Sequence, residues 1–373
     1  MCPESTRQSR AADRARIREI QERIEQLSAE KETLQRRLDG YSFPVLTLPN
    51  EITSEIFRHF LPPYPQSPPC SGSSSPTLLA AVCRHWRNIA LATPGLWCAI
   101  SLDASPALVS SWLDRSGRKL LSLRSDNWLL GESAESVPSR LGLFLPSMER
   151  WEHIQLRLPA SAGALTKFFR PMPMVLHMEL DIHDLPQDAH FSPANVPSLR
   201  SAALWEFDGH INLLPWSQLT ALALITATPE ECTRVLPQAT NLVACALVLT
   251  GTVPEAQAVI TLPRVKRLTL THYDFTEEPA PIGFLSFFAT PVIQRLRIAE
   301  RLLEDNNTLQ VFVEKHESLD ELCIMGRSNQ VISSLLFPGI QVSREQNLEE
   351  LVDDRTRSFM KQLRAFVEEP LLH

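Results

Sequence analysis

Residues 219–249 read LTALALITATPEECTRVLPQATNLVACALVL and contain one complete unit of a repeated pattern. A short run of the form apolar-x-x-apolar-x-apolar begins at Leu219 and returns at Leu242. Between the two runs, Thr228 followed by Pro229 and two glutamates is typical of a helix start. The stretch therefore predicts a strand, a crossover helix and a second strand.

The apolar pattern recurs along most of the chain. Its units begin at Trp151, Val175, Leu199, Leu219, Leu242, Val265, Ile293 and Leu319, in steps of 20 to 28 residues, and a ninth is expected at Leu348. This spacing resembles that of leucine-rich repeats, whose period is about 20–29 residues. Each unit would supply a strand that cannot bury its own apolar face, so neighbouring units must stack into one core.

We therefore predict a mixed α/β fold. Residues 103–347 are expected to form an irregular leucine-rich-repeat-like solenoid of short parallel strands and helices, with another crossover helix at 282–289. The alternative is an unrelated α/β arrangement, because the asparagine of the repeat consensus is mostly absent.

Two short amphipathic segments precede the repeats: LPNEITSEIFRHFL at 48–61 and LLAAVCRHWRNIALATPGLW at 78–97. Pro49 and the glutamate after Asn50 favour a helix start, and apolar residues recur at helical spacing in both segments. The first segment predicts one short helix, and the second predicts one helix that continues from Leu79 to Ala90. Their combined apolar surface exceeds what a small hairpin hides, which indicates either a partner or cover by the rest of the chain.

The two segments resemble an F-box, and more narrowly the F-box-like proteins abundant in mushroom-forming fungi. The motifs that carry the resemblance are LP, EI, IF and L in the first segment, and VC, WR and TPGLW in the second. The resemblance covers residues 45–102 and implies binding to the Skp-type adaptor of a cullin-RING ubiquitin ligase, whereas Trp97 closes the module's own core. A Pro/Ser-rich insert at 62–76 departs from the compact F-box and is expected to be disordered. The implied adaptor-binding residues are Leu48, Pro49, Ile52, Ile56, Leu79, Val82, Cys83 and Trp86.

The resemblance and the repeats together imply a substrate receptor. The F-box-like domain would bind the adaptor and through it a cullin, while the repeat domain binds a target protein of unknown identity. Other subunits transfer the ubiquitin, so no catalytic residue is needed here. One alternative is a leucine-rich-repeat interaction scaffold that is not coupled to ubiquitin transfer.

A second alternative is an enzyme on an α/β body. It is not favoured, because the sequence has no nucleophile elbow, glycine-rich phosphate loop or zinc-protease motif. His177, Glu179 and Asp181 alternate along a predicted strand, but their spacing is a weak match to a metal site. We expect no enzymatic activity, no cofactor and no metal.

A target would bind on the second face of the predicted sheet. Residues between the core positions line that face, because strand side chains alternate. Small and apolar side chains predict a shallow groove there, and arginines beside it would suit carboxylates or phosphate. The alternative is that the C-terminal segment 348–373, whose apolar residues have mostly helical spacing, covers the face as a helical cap or tail. The predicted substrate-binding residues are Trp205, Ile225, Val248, Arg267, Arg295 and Arg297.

The N-terminal region predicts a helix with a heptad seam. Residues 1–14 are expected to be disordered and residues 15–40 to form the helix, which Gly40 ends. Isoleucines and leucines at steps of three and four, with Lys31 at an a position, favour a parallel two-stranded coiled coil. The run has barely three heptads, so the sequence leaves open both a homodimer through residues 15–38 and a solitary helix.

Composition excludes several classes of protein. The chain has 373 residues, of which 44% are hydrophobic, so it can bury a substantial core. A net charge of −7 without a basic block argues against nucleic-acid binding. The apolar runs are too short for a membrane span, and the N-terminus lacks a signal-peptide core, so we expect the cytoplasm or nucleus. The seven cysteines lack CxxC spacing and are expected to be reduced.

Overall fold

The computed structural model forms two compact units, Met1–Ile56 and Phe57–His373. The first unit is helical, and the second combines helices with a parallel sheet. The residues that the structure describes are 3–40, 44–125, 142–158, 169–182, 189–205, 212–254, 258–272, 280–303, 306–326, 337 and 339–345.

The first unit contains one long helix and the start of a second. Helix α1 spans Pro3–Asp39 and includes most of the stretch predicted to be disordered, since residues 4–14 contain no helix breaker. It ends as predicted, and the Gly40 N–H donates to the Arg36 carbonyl oxygen at 3.0 Å. A 3-10 turn follows at Pro44–Thr47, and α2 spans Asn50–Phe60.

The second unit begins with a group of short helices, which we call the helical module. The prediction of one helix through this region is wrong at Cys83, where the backbone is extended (φ −156°, ψ 169°). The Cys83 Sγ accepts the Trp86 N–H at 3.4 Å and so caps the next helix. Such local capping competes with a continuous helix. The module comprises the end of α2, α3 (Pro76–Val82), α4 (Arg84–Leu91), a 3-10 turn (Pro94–Trp97) and α5 (Pro106–Arg115).

Eleven parallel strands form one open sheet in the described part of the second unit. Its order is β1-β2-β3-β4-β5-β6-β7-β9-β11-β12-β13, and β8 and β10 form a separate parallel pair. The strands are β1 (Ala99–Ser101), β2 (Leu121–Arg124), β3 (Trp151–Leu158), β4 (His177–Ile182), β5 (Ser201–Trp205), β6 (Ala221–Ala227), β7 (Ala244–Leu249), β8 (Ile260–Thr261), β9 (Arg267–His272), β10 (Phe288–Ala289), β11 (Arg295–Ala299), β12 (Glu321–Met325) and β13 (Gln341–Glu345).

The strand register aligns the repeated positions. Leu222 on β6 pairs with Cys245 on β7, and Cys245 pairs with Leu268 on β9. The same row continues through Leu296 on β11 to Leu322 on β12. The units recognised in the sequence are therefore neighbouring parallel strands, and the mixed α/β class is confirmed.

The last described strand, β13, begins at Gln341 and was not predicted. Gly339 and Arg344 occupy two of the three positions that are apolar in the other units, so the pattern is lost there. Leu348, where a ninth unit is predicted, and the segment 348–373, predicted to be a helical cap or tail, lie outside the described residues. The helix predicted at 282–289 is wrong: this stretch is a 3-10 turn followed by β10.

Short helices make two of the crossovers. Helix α6, Pro229–Val235, starts as predicted with a capping box. The Thr228 Oγ1 accepts the Glu231 N–H at 3.3 Å, and the Glu231 Oε2 accepts the Thr228 N–H at 2.8 Å. Helix α7, Asn306–Lys315, lies between β11 and β12.

The main core lies on one face of the sheet and continues into the helical module. It joins Phe57 and Trp97 of the module to Leu222 and Leu224 of β6, and to Cys232 of α6. All five side chains are almost completely buried. Within the second unit, the helical module and the sheet therefore share one apolar core.

Candidate functional site

The first unit carries the predicted adaptor-binding residues Leu48, Pro49, Ile52 and Ile56. Pro49 precedes α2, and its carbonyl oxygen accepts the Thr53 N–H at 3.0 Å. Thr53 is buried, whereas Ile52 and Ile56 are 51% and 47% exposed. Residues four apart lie on one face of a helix, so this unit presents an exposed apolar pair.

The second unit carries the predicted residues Leu79, Val82, Cys83 and Trp86. Leu79 is buried, and Trp86 packs edge-on against Phe57 with the ring centroids 4.9 Å apart. Cys83 caps α4 through its Sγ. Val82 remains 56% exposed. The motif positions of this unit therefore divide into core, capping and exposed residues.

One exposed residue was missed by the sequence reasoning. Leu78 is 44% exposed and lies four residues before Val82 on α3. The two side chains form a second exposed apolar pair, because residues four apart lie on one face of a helix. The predicted helix began at Leu79 and so left Leu78 out.

Trp97 closes the core of the helical module, as predicted. It is fully buried, and its Nε1–H donates to the Ala90 carbonyl oxygen at 2.9 Å. The ring packs edge-on against Trp112 at 5.6 Å, and the Arg115 guanidinium lies 4.6 Å from its centroid. Trp97 is therefore enclosed by α4 and α5 and offers no surface to a partner.

The Pro/Ser-rich insert contacts the sheet, in contrast to the disorder expected from its composition. The Tyr64 hydroxyl donates to the Glu152 Oε2 at 2.7 Å, and its ring packs edge-on against His153. The Ser122 hydroxyl donates to the Pro65 carbonyl oxygen at 2.6 Å. One aromatic anchor and a backbone acceptor thus attach an otherwise polar stretch to β2 and β3.

Burial shifts the pKa values of the titratable side chains near this contact. Burial, together with the Glu152 carboxylate, raises the pKa of Tyr64, and burial lowers the pKa of His153. Burial also raises the pKa of the Cys98 thiol to about 11. A protonated, buried thiol is a packing residue and a poor nucleophile.

The predicted substrate-binding residues lie on the second face of the sheet. Trp205, Ile225 and Val248 are register partners on β5, β6 and β7 and form one row. Ile225 and Val248 are only 1% and 4% exposed, so this row is not an open groove. It belongs to a buried cluster, the second-face patch, which consists of Ala203, Ala221, Ala223, Ile225, Ala244, Ala246 and Val248 with Trp205 packed against it.

The three arginines lie beside the second-face patch. Arg267 on β9 pairs in register with Arg295 on β11, and Arg297 follows two residues later on the same face. The Arg295 Nε also contacts the Glu321 Oε2 at 3.0 Å. The structure therefore places all six predicted residues on one face, in an apolar part and a basic part.

His177 and Glu179 of β4 are buried at the other side of the patch, and the His177 Nδ1 lies 2.8 Å from the Ser201 hydroxyl. Among the described residues, no group of three His, Cys, Asp or Glu side chains is placed to hold a metal ion. None of the described helices combines the length and the apolar character needed to cross a bilayer.

A scan of the sequence against protein-family models finds no match, and a search of the curated proteins finds none either.

Proposed function

We propose that this protein is a substrate receptor of a Skp/cullin/F-box type ubiquitin ligase. The observation that carries the proposal is the exposure of two apolar pairs within the F-box-like motifs, Ile52 with Ile56 and Leu78 with Val82. Of the neighbouring motif residues, Leu79 belongs to the apolar core of the second unit and Trp86 packs against that core. Apolar side chains that a protein leaves exposed at regular helical spacing are typical of a protein-binding surface.

The sheet supports the second part of the proposal, which is target binding. A receptor raises the effective concentration of target lysines near a charged ubiquitin carrier, and this gain requires no acid, base or nucleophile in the receptor. The helical module shares its core with the sheet, so a target on the sheet would be held at a fixed position relative to that module.

The test is affinity for a recombinant Skp-type adaptor. Ile52→Glu and Val82→Glu place a charge on exposed apolar positions, so each should weaken binding at least tenfold, about 1.4 kcal/mol, without unfolding the chain. The matched control is Val259→Glu, because Val259 is 64% exposed and lies outside the motifs. Circular dichroism checks the fold of each variant.

A native chain that forms no complex with the adaptor would refute the proposal. That result would favour the alternative, an interaction scaffold that is not coupled to ubiquitin transfer. A complex that Val259→Glu weakens as much as Val82→Glu would show that the motif helices are not the binding surface.

A further inference from the structure

Residues 57–102, which include α3 and α4, differ in charge from the rest of the chain. They contain three arginines and two histidines but no aspartate or glutamate, although the whole chain has 43 acidic against 36 basic residues. With neutral histidines this stretch carries a net charge of +3, so the remaining residues must carry −10 to give the total of −7. A local excess of one sign in a chain of the opposite sign favours a partner of complementary charge.

Two of these arginines lie beside the exposed apolar pair of α3. Arg84 and Arg87 are among the first four residues of α4, and both are exposed. Arg84 follows Val82 by only two residues, and the Arg87 Nε donates to the Ala80 carbonyl oxygen of α3 at 2.8 Å. Residues three apart share one face of a helix, so Arg84 and Arg87 form a basic edge next to Leu78 and Val82.

The basic edge can bind carboxylates. The bond to the Ala80 carbonyl oxygen fixes the orientation of Arg87, whose two terminal nitrogens form no hydrogen bond within the described residues. In the same part of the chain, neither Arg84 nor Arg87 forms an ion pair. A guanidinium binds a carboxylate through two parallel N–H···O bonds, and a side chain that is already held in position loses less entropy when it binds.

The fold itself does not account for the positive charge of Arg84. This residue is the first of α4, at the positive end of the helix dipole, and the first turn of α4 contains no acidic residue. A cation at this end lowers the stability of a helix, whereas a carboxylate raises it. A residue that opposes a local rule of folding, without a compensating contact among the described residues, indicates a role in binding.

We propose that the partner surface that binds α3 and α4 is acidic around an apolar centre, with carboxylates that pair with Arg84 and Arg87. Leu78 and Val82 supply the apolar contact, and the basic edge selects an acidic protein and its orientation. The inference rests on the proposed adaptor binding and names the chemistry that the adaptor presents. A nucleic acid fits this surface less well, because binding a phosphate backbone needs a denser set of Lys and Arg.

The first test is the association rate of the full chain with a recombinant Skp-type adaptor at two salt concentrations. Raising the salt from about 0.1 M to about 1 M shortens the screening length from about 10 Å to about 3 Å. Arg84→Glu should slow association roughly threefold to tenfold at the lower salt and much less at the higher one. Arg84→Lys keeps the charge and should stay within about twofold of the native rate.

The matched control is Lys266→Glu. Lys266 is exposed, directly precedes β9 and lies outside residues 57–102. This variant changes the net charge of the chain by the same amount as Arg84→Glu, but it leaves the basic edge intact. Its association rate should therefore stay within about twofold of the native rate at both salt concentrations. A control that slows association as much as Arg84→Glu would overturn the proposal, because the effect would then come from the total charge.

The second test separates binding from folding. Arg84→Glu replaces a cation at the start of α4 by an anion, so its unfolding temperature should equal the native value or exceed it by roughly 1–3 °C. Weaker binding at undiminished stability is not expected of a residue that only supports the fold. An unfolding temperature clearly below the native value, together with unchanged adaptor binding, would assign Arg84 to the fold and overturn the proposal.

The remaining outcomes distinguish this inference from the proposed function. If Val82→Glu weakens the adaptor complex and Arg84→Glu does not, the acidic character of the partner is refuted while adaptor binding stands. A native chain that forms no complex with the adaptor refutes both. A gel shift with duplex DNA, or self-association in light scattering, that Arg84→Glu abolishes would assign the basic edge to a nucleic acid or to a second copy. Either result would overturn the proposal.

Discussion

Replacing Trp97 tests whether the TPGLW motif belongs to the protein's own core. Trp97→Ala removes a fully buried indole, its bond to the Ala90 carbonyl oxygen, and its contacts with Trp112 and Arg115. Large-to-small changes of this kind cost about 3–5 kcal/mol. The hydrogen bond accounts for roughly 1 kcal/mol and the aromatic pair for about 0.5–1.5 kcal/mol of that loss. Trp97→Phe keeps a ring but no donor, so it should cost about 1–2 kcal/mol.

The assay is urea unfolding followed by far-ultraviolet circular dichroism. The matched control is Leu91→Ala, because Leu91 is exposed on α4 and its replacement should change the free energy of unfolding by less than about 0.5 kcal/mol. If Trp97→Ala costs no more than Leu91→Ala, the enclosed position of Trp97 is refuted. Trp97→Phe should also leave adaptor affinity unchanged, since Trp97 presents no surface to a partner.

Three further changes test other parts of the molecule. If α1 mediates a homodimer, light scattering of the native chain should give twice the 42.0 kDa mass of one chain. Ile24→Asp, at an exposed position of α1, should return the mass to 42.0 kDa. A native chain that is monomeric would exclude the dimer. Thr228→Ala should lower stability by about 1 kcal/mol through loss of the capping box, whereas Thr228→Ser should not. Burial holds the pKa of His153 in the folded state below its ordinary value of 6.5. Because the unfolded chain then binds the proton more readily than the folded one, the free energy of unfolding should decrease as the pH falls below 6.5. That decrease should be smaller in His153→Gln.

The sheet was predictable from the sequence because its strands repeat the same apolar positions. Leu222, Cys245 and Leu268 follow one another in the register that the pattern predicted. Strand β13 was not predicted because Gly339 and Arg344 break the pattern there, although pairing with β12 continues. Apolar periodicity detects the strands that repeat the apolar-x-x-apolar-x-apolar pattern. It misses a strand such as β13, which pairs with its neighbour through the backbone but lacks that pattern.

Contacts between distant parts of the chain were not predictable. Tyr64 and Glu152 are 88 residues apart, and composition alone indicates that the insert around Tyr64 is disordered. Periodicity placed Ile225 and Val248 together on the second face, but it does not state what lies above a sheet. At Cys83 the backbone is extended and the Sγ accepts the Trp86 N–H, a local arrangement that apolar spacing does not reveal.

The shared core of the helical module and the sheet has a geometric consequence for any molecule that binds the sheet. Trp97 and β1 are almost adjacent in the chain, and each further strand lies about 4.8 Å from the one before it. A molecule bound at β5 would be about 19 Å from β1 along the sheet, and one bound at β12 about 43 Å. If the protein is the substrate receptor proposed above, the strand that a target contacts determines which of the target's lysines lie within range of the transferring enzyme, and targets of different size would use different strands.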